Sequence, residues 1–98
     1  MSCYFLIDVY FDENEDKSIY ANYIEKVKPI VESYGGRYLA RTENIVALNE
    51  ERNPSRVIII QFPTKDRLYE CFRSDEYKEI IDESIEKVDA RGVIVESD

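Results

Sequence analysis

The segment that most constrains the fold is the run Arg56 to Phe62, RVIIIQF, in which three consecutive isoleucines face both sides of an extended chain. Residues 3–11, CYFLIDVYF, share this property: the odd positions are all apolar, and Tyr4, Leu6 and Tyr10 occupy most of the even ones. A strand with two apolar faces is typical of the middle of a sheet that is covered on both sides. We therefore predict two central strands here.

Helical patterns separate these strands from the others. Apolar residues recur at spacings of three and four from Tyr20 to Tyr34, and Gly35 is suited to end that helix, although Pro29 predicts a kink or break near Lys28. Thr64 and Ser74 are expected to cap two further helical segments. The second of these has an apolar stripe that continues from residue 77 to residue 88.

The remaining strands are shorter. Arg37 to Leu39 and Ile45 to Leu48 are predicted to form one strand, irregular near residues 42–44, and residues 49–55 are predicted to form a turn. A final strand is expected at residues 92–96. The order of elements predicts an α+β, ferredoxin-like βαββαβ fold with a four-stranded antiparallel sheet, helices on one face, and a single domain over residues 1–98.

One face of this sheet has no helix to cover it. Four strands about 4.8 Å apart and roughly 20 Å long present about 400 Å², which is large for an exposed apolar patch on a monomer. At about 25 cal/mol per Å², covering that face contributes on the order of 10 kcal/mol before ordering costs. We therefore predict a homodimer in which two sheets pack face to face as a dimeric α+β barrel. The alternative is a monomer whose second face is more polar.

Charge and composition exclude several functions. There are 13 Lys and Arg against 21 Asp and Glu, a net charge of −8, which disfavours nucleic acid as a partner. The absence of His removes His-dependent triads and the commonest metal ligand. Cys3 and Cys71 form no C-x-x-C pair, and no apolar run approaches the length of a membrane span. We expect no metal, no cofactor, no membrane partner, buried reduced thiols and a cytoplasmic location.

Two arginines and one aspartate are candidates for chemistry. If the second strand is regular, Arg37 and Arg41 share one face, where paired guanidinium groups could hold a small anion; alternatively both pair with acidic neighbours. Asp8 interrupts a central strand, so it should find an Arg or Tyr partner or take up a proton. With a raised pKa it would be a weak candidate for a general base; otherwise it lies at a wet rim of the barrel. Gln61 is expected to hydrogen-bond across the sheet.

Several blocks of the sequence resemble one known family. Residues 34–41, YGGRYLAR, are similar to the G-G-R-Y-L-x-R signature of the domain of unknown function 1330 family. Residues 56–63 resemble that family's R-x-x-x-I-x-F-P strand, and YECFRSDEY at residues 69–77 resembles its aromatic-x-S-x-E-Y helix entry. The resemblance implies the dimeric α+β barrel fold. Tyr34 stands where the family often has His, and Ser84 where it often has Arg.

The resemblance supplies architecture more than a reaction. It implies a cleft between the helices and the sheet in which Arg37, Arg41, Tyr34 and Tyr77 would contact a small anionic or aromatic ligand. Two alternatives remain open: a cofactor-independent monooxygenase or isomerase that uses Asp8 or a Tyr as base, and a structural dimer without a ligand.

Overall fold

The computed structural model describes residues 2–10, 17–84 and 89–97. Seven elements follow one another along the chain: β1 (Ser2–Tyr10), α1 (Lys17–Ser33), β2 (Arg37–Thr42), β3 (Arg56–Phe62), α2 (Lys65–Arg73), α3 (Asp75–Ser84) and β4 (Asp89–Ser97). The predicted loop at residues 12–16, and the ends predicted at Phe11 and Val88, lie outside the described residues. The predicted α+β arrangement of strands and helices is confirmed.

The sheet has the strand order β2-β3-β1-β4, with each neighbouring pair antiparallel. β1 and β3 are its central strands, as their two apolar faces predicted. Residues directly opposite each other in such a sheet share a face, so the register divides the sheet into two surfaces. We call them the inner face, which holds Phe5 and Ile60, and the outer face, which holds Leu6 and Ile59.

The hydrophobic core lies between the inner face and the helices. Val27 and Val31 of α1, and Leu68 and Cys71 of α2, are buried in one cluster with inner-face residues. The inner-face members of the cluster are Cys3, Val9, Ile58, Ile60 and Phe62. Both predicted caps are present: the Thr64 and Ser74 hydroxyl oxygens accept hydrogen bonds from the backbone N–H groups of Arg67 and Tyr77, respectively.

The first helix ends as the sequence predicts. Gly35 has a φ of 89°, the backbone N–H of Gly36 donates to the Val31 carbonyl at 2.9 Å, and that of Gly35 donates to Glu32 at 3.0 Å. This is the Schellman pattern, in which a glycine in the left-handed region satisfies the last carbonyls of the helix. The predicted break at Pro29 is wrong, because α1 continues through Pro29 to Ser33.

The segment between β2 and β3, residues 43–55, contains the predicted turn, since the backbone N–H of Arg52 donates to the Asn49 carbonyl at 3.2 Å, but it does not contain the predicted strand. The predicted strand at residues 45–48 is wrong: β2 ends at Thr42, opposite Val57 near the start of β3, so residues 45–48 belong to the connection that leaves the sheet between these two strands and pair with no described strand. Within this segment, the backbones of Asn49 and Arg52 pair with each other in antiparallel fashion, outside any strand. We call residues 43–55 the arm.

Candidate functional site

A small cavity lies between the inner face and the helices. Its volume is about 20 Å³, somewhat more than one water molecule requires, and its walls are almost entirely apolar. We call this region the cleft. Its walls include Phe5, Val31, Tyr38, Ile60, Phe72 and Tyr77.

Three aromatic rings of the cleft pack against one another. Phe5 and Phe72 meet edge to face with centroids 4.8 Å apart, and Phe72 and Tyr77 stack at 5.1 Å. Tyr77 follows the cap at Ser74, which fixes the start of α3 and therefore the position of the phenol. The cleft is thus an aromatic site in which Tyr77 and Tyr38 carry the polar side-chain atoms.

Arg37 and Arg41 do not form the predicted pair. The register shifts between Tyr38 and Ala40, so Arg37 lies opposite Gln61 on the outer face, whereas Arg41 lies opposite Ile58 on the inner face. The irregularity comes earlier than predicted and adds one residue, which reverses the facing of everything after it. The Arg41 guanidinium instead lies 5.9 Å from the centroid of the Tyr38 ring.

Tyr34 lies at a different place from Tyr77. It lines a shallow groove between the end of α1 and α2, together with Tyr69 and Arg73, whose guanidinium lies 5.3 Å from the Tyr69 ring centroid. Of the four predicted ligand contacts, therefore, only Tyr77 lines the cleft. Arg41 lies next to the ring of Tyr38, which is a wall of the cleft, and Arg37 and Tyr34 lie elsewhere.

Asp8 has the arginine partner that its position requires. Its carboxylate, 13% exposed, accepts hydrogen bonds from Nε and Nη2 of Arg52 at 2.7 and 3.1 Å. Asp8 lies opposite Val57 and Arg91 on the outer face, away from the cleft. This arrangement is a bidentate ion pair at the sheet rim, on the face opposite the cleft, and gives no support to a general base in the cleft.

Sequence reasoning missed Tyr38, Phe5 and Phe72 as cleft residues. Tyr38 directly follows Arg37 in β2, and the alternation of a strand places two such neighbours on opposite faces. Phe72 follows the helical spacing of Leu68, and only the fold brings it against Phe5. Gln61 behaves as predicted, since its Nε2 donates a hydrogen bond to Ser2 Oγ across the sheet at 3.2 Å.

The outer face has an apolar centre. Leu6 lies opposite both Ile59 and Val93, and Tyr4 lies opposite Val95. Val93 is 56% exposed, and Leu39 and Val95 are also exposed. One end of this face is polar, where Arg91 pairs with Asp89 and lies 4.6 Å from the centroid of the Tyr10 ring.

Both thiols are free and buried, as predicted. Burial raises the pKa of Cys71 to about 11 and also raises the pKa of Cys3. A thiol whose pKa is higher in the folded protein contributes stability that is complete below its unfolded pKa and is lost as pH rises toward the folded value. The thiolate is the reactive form, so these cysteines should be inert in the native protein.

We expect native protein at pH 8 to react with 5,5′-dithiobis(2-nitrobenzoate) at least about 100-fold more slowly than urea-unfolded protein. Between pH 9 and 11 the urea midpoint should fall more for the wild type than for Cys71→Ala, because only the wild type has a Cys71 proton to lose on unfolding. Rapid labelling of a thiol in the folded protein would contradict the inert assignment.

The described part of the chain holds no cluster of three or more His, Cys, Asp or Glu side chains placed to bind a metal ion. Among the helices that the structure describes, none is long and apolar enough to cross a membrane.

Solved structures share this fold at low sequence identity. A protein of unknown function from Rhodopseudomonas palustris is 20% identical, with a TM-score of 0.77 over 96% of this chain and 80% of that one. The Arabidopsis thaliana protein At3g17210 is 11% identical, with a TM-score of 0.71 over 100% and 96%. SnoaB from Streptomyces nogalater, a cofactor-independent oxygenase, is 7% identical, with a TM-score of 0.63 over 99% and 91%.

No curated protein matches the sequence. A family model, that of the domain of unknown function DUF1330, matches residues 2–98. The match covers all three blocks that resemble the family, which are residues 34–41, 56–63 and 69–77. The chain therefore belongs to the DUF1330 family.

Proposed function

We propose that the protein is a homodimer that binds a small aromatic molecule in the cleft of each subunit. The observation that carries the ligand assignment is the set of aromatic rings from Phe5, Tyr38, Phe72 and Tyr77 around an apolar cavity. Aromatic walls with a few polar atoms are the usual composition of small-molecule sites. Because neither Arg37 nor Arg41 lines the cavity, an aromatic ligand fits the walls better than a purely anionic one.

The cavity is smaller than an aromatic ring, so binding requires the side chains around it to move. Phe72 and Tyr77 stand on α2 and α3, which meet at Ser74, and both side chains are only partly buried, so their rings have room to turn and enlarge the space. The ring of the ligand would then contact the aromatic side chains in place of the contacts that those side chains lose with one another. The free-energy cost of opening the cavity is therefore low.

The dimer assignment rests on the outer face. Its centre holds Leu6 and Ile59, which Val93 of the edge strand β4 extends, and its rim holds the ion pairs of Asp8 and Asp89. An apolar centre within a polar rim is the usual composition of a protein interface. The partner is a second copy of this chain, because two copies present outer faces of equal size and the same apolar character to each other.

The proposed setting is the reducing cytoplasm. Two buried cysteines that form no disulfide suit such a compartment.

We expect phenol and indole, but not acetate, to raise the melting temperature. A ligand at ten times its Kd stabilises the native state by about 1.4 kcal/mol, which corresponds to roughly 6 °C for a domain of this size. Tyr77→Phe, which removes the hydroxyl without enlarging the cavity, should reduce the shift for phenol, measured against that variant's own melting temperature. The matched control is Tyr69→Phe, which removes a hydroxyl from the neighbouring groove and should keep the shift.

Two outcomes would count against the ligand. No shift with any compound at millimolar concentration would leave a structural dimer whose cleft is filled by its own side chains. A phenol shift that is unchanged in Tyr77→Phe and lost in Tyr69→Phe would move the site to the groove beside Tyr34.

A second candidate is a cofactor-independent oxygenase, which the likeness in fold to SnoaB favours. In that case the base would be Tyr77 or Tyr38, because Asp8 lies on the opposite side of the sheet and is paired with Arg52. Oxygen uptake at an electrode, started by a compound that stabilises the protein, separates this candidate from simple binding. Uptake that is equal in wild type and in the Tyr77→Phe, Tyr38→Phe double variant would contradict it.

A further inference from the structure

The arm exposes two aliphatic side chains to an unusual degree. Val46 is 84% exposed and Leu48 is 91% exposed, more than the exposed valines of β4. Single exposed apolar residues are common on protein surfaces, but two close together on a long connection suggest a contact surface.

The base of the arm is held in a defined position. The Arg56 guanidinium donates to the Glu43 carboxylate at 3.0 Å, and the backbone N–H of Ser55 donates to the Val9 carbonyl at 2.8 Å. Pro54 is buried. With both ends fixed to the sheet, the arm presents its exposed side chains at little further cost in conformational entropy.

The returning limb of the arm lies on the outer-face side of the sheet. Arg52 forms its bidentate ion pair with Asp8, and Asp8 belongs to the outer face. The backbone N–H of Arg52 donates a hydrogen bond to the Asn49 carbonyl at 3.2 Å. Asn49 directly follows Leu48, so it connects this limb to the segment that carries Leu48. Leu48 therefore directly precedes a turn whose far end, Arg52, is fixed to the surface proposed above as the dimer interface.

The area of that interface requires more than the sheet. A stable interface buries about 800 Å² of accessible surface on each partner, whereas four strands of 6 to 9 residues span a flat area of roughly 500 Å². Surface beside the sheet on the outer-face side would supply the difference. The arm is such a surface, and its two most exposed side chains are apolar.

We infer that the arm of each subunit clasps the other copy, with Val46 and Leu48 packed against the partner at the border of the outer face. This inference rests on the proposed homodimer and goes beyond it, because the sheets could pack without any contribution from the arms. By the two-fold symmetry of such a dimer, four aliphatic side chains are buried in each complex.

The test compares a double variant, Val46→Ser with Leu48→Ser, with the control Ala47→Ser, an exposed position between them on the same arm. Sedimentation with fluorescence detection, from nanomolar to micromolar protein, gives the Kd of the dimer. We expect the double variant to raise Kd on the order of 100-fold and the control to leave it within about threefold. Because both residues are exposed within one subunit, circular dichroism of the monomer should be unchanged.

The outcomes separate the two proposals. A wild-type dimer whose Kd is unchanged by the double variant overturns the clasp and leaves the sheet interface standing. A wild-type monomer at all concentrations overturns both. A photo-crosslinking benzoylphenylalanine at position 48 adds a direct measure: a covalent dimer supports the clasp, and crosslinks within one chain alone contradict it.

Discussion

Val93→Asp is expected to leave the protein monomeric. Val93 lies opposite Leu6 on the outer face, midway along the edge strand β4, and its side chain is 56% exposed in the single subunit. The substitution therefore costs the monomer little, less than about 1 kcal/mol. In the dimer it buries two carboxylates without partners, which should raise Kd at least about 1000-fold. Sedimentation equilibrium measures this change.

The control for this prediction is Lys78→Asp on the exposed surface of α3. It makes the chain more negative than Val93→Asp does, so it tests whether added charge alone separates the subunits. We expect it to remain dimeric. Dissociation of both variants to the same extent would attribute the effect to net charge and would contradict the assignment of the interface to the outer face.

Gly36→Ala is expected to destabilise the fold by about 3 kcal/mol. A Cβ at this position would contact Val31 Cγ1 and lie 2.9 Å from the Val31 carbonyl oxygen and 3.0 Å from Phe62 Cζ. Val31 and Phe62 are buried, so neither can move away without disturbing the core. For a domain of this size the melting temperature should fall by roughly 15 °C, measured at one fixed protein concentration because dimerisation shifts it.

The control at the neighbouring glycine isolates this steric effect. Gly35 has a φ of 89°, and a Cβ there would meet only the ring of Pro63, at 3.2 Å. Asn tolerates the left-handed region, so Gly35→Asn should cost about 1 kcal/mol. If Gly36→Ala proves as mild as Gly35→Asn, the close contact between the end of α1 and β3 is not what fixes this glycine.

The order of elements could be predicted from the sequence because each signal was local. The apolar runs of β1 and β3 and the caps at Thr64 and Ser74 each depend on a few neighbouring residues. The strand predicted at residues 45–48 was wrong because a short apolar run suits both a strand and an exposed connection between strands. Whether a segment pairs depends on which strand edges are free, and that is a property of the whole sheet.

The candidate site was less predictable than the fold. One extra residue near Leu39 moved Arg41 to the face opposite Arg37, and nothing in the letters RYLART marks that bulge. Tyr77 was predicted from its place in a motif, whereas its neighbours Phe5 and Phe72 come from distant parts of the chain. Asp8 could be predicted to need a partner, but the position of Arg52 depends on the path of the arm.

The central claim is that a second copy covers the outer face. The most direct measurement is an isotope-filtered NOE experiment on dimers assembled from methyl-labelled and unlabelled chains. The account predicts intermolecular NOEs to the methyl groups of Leu6, Ile59 and Val93. Intermolecular NOEs confined to the helices, or a particle of 11.6 kDa with none at all, would contradict it.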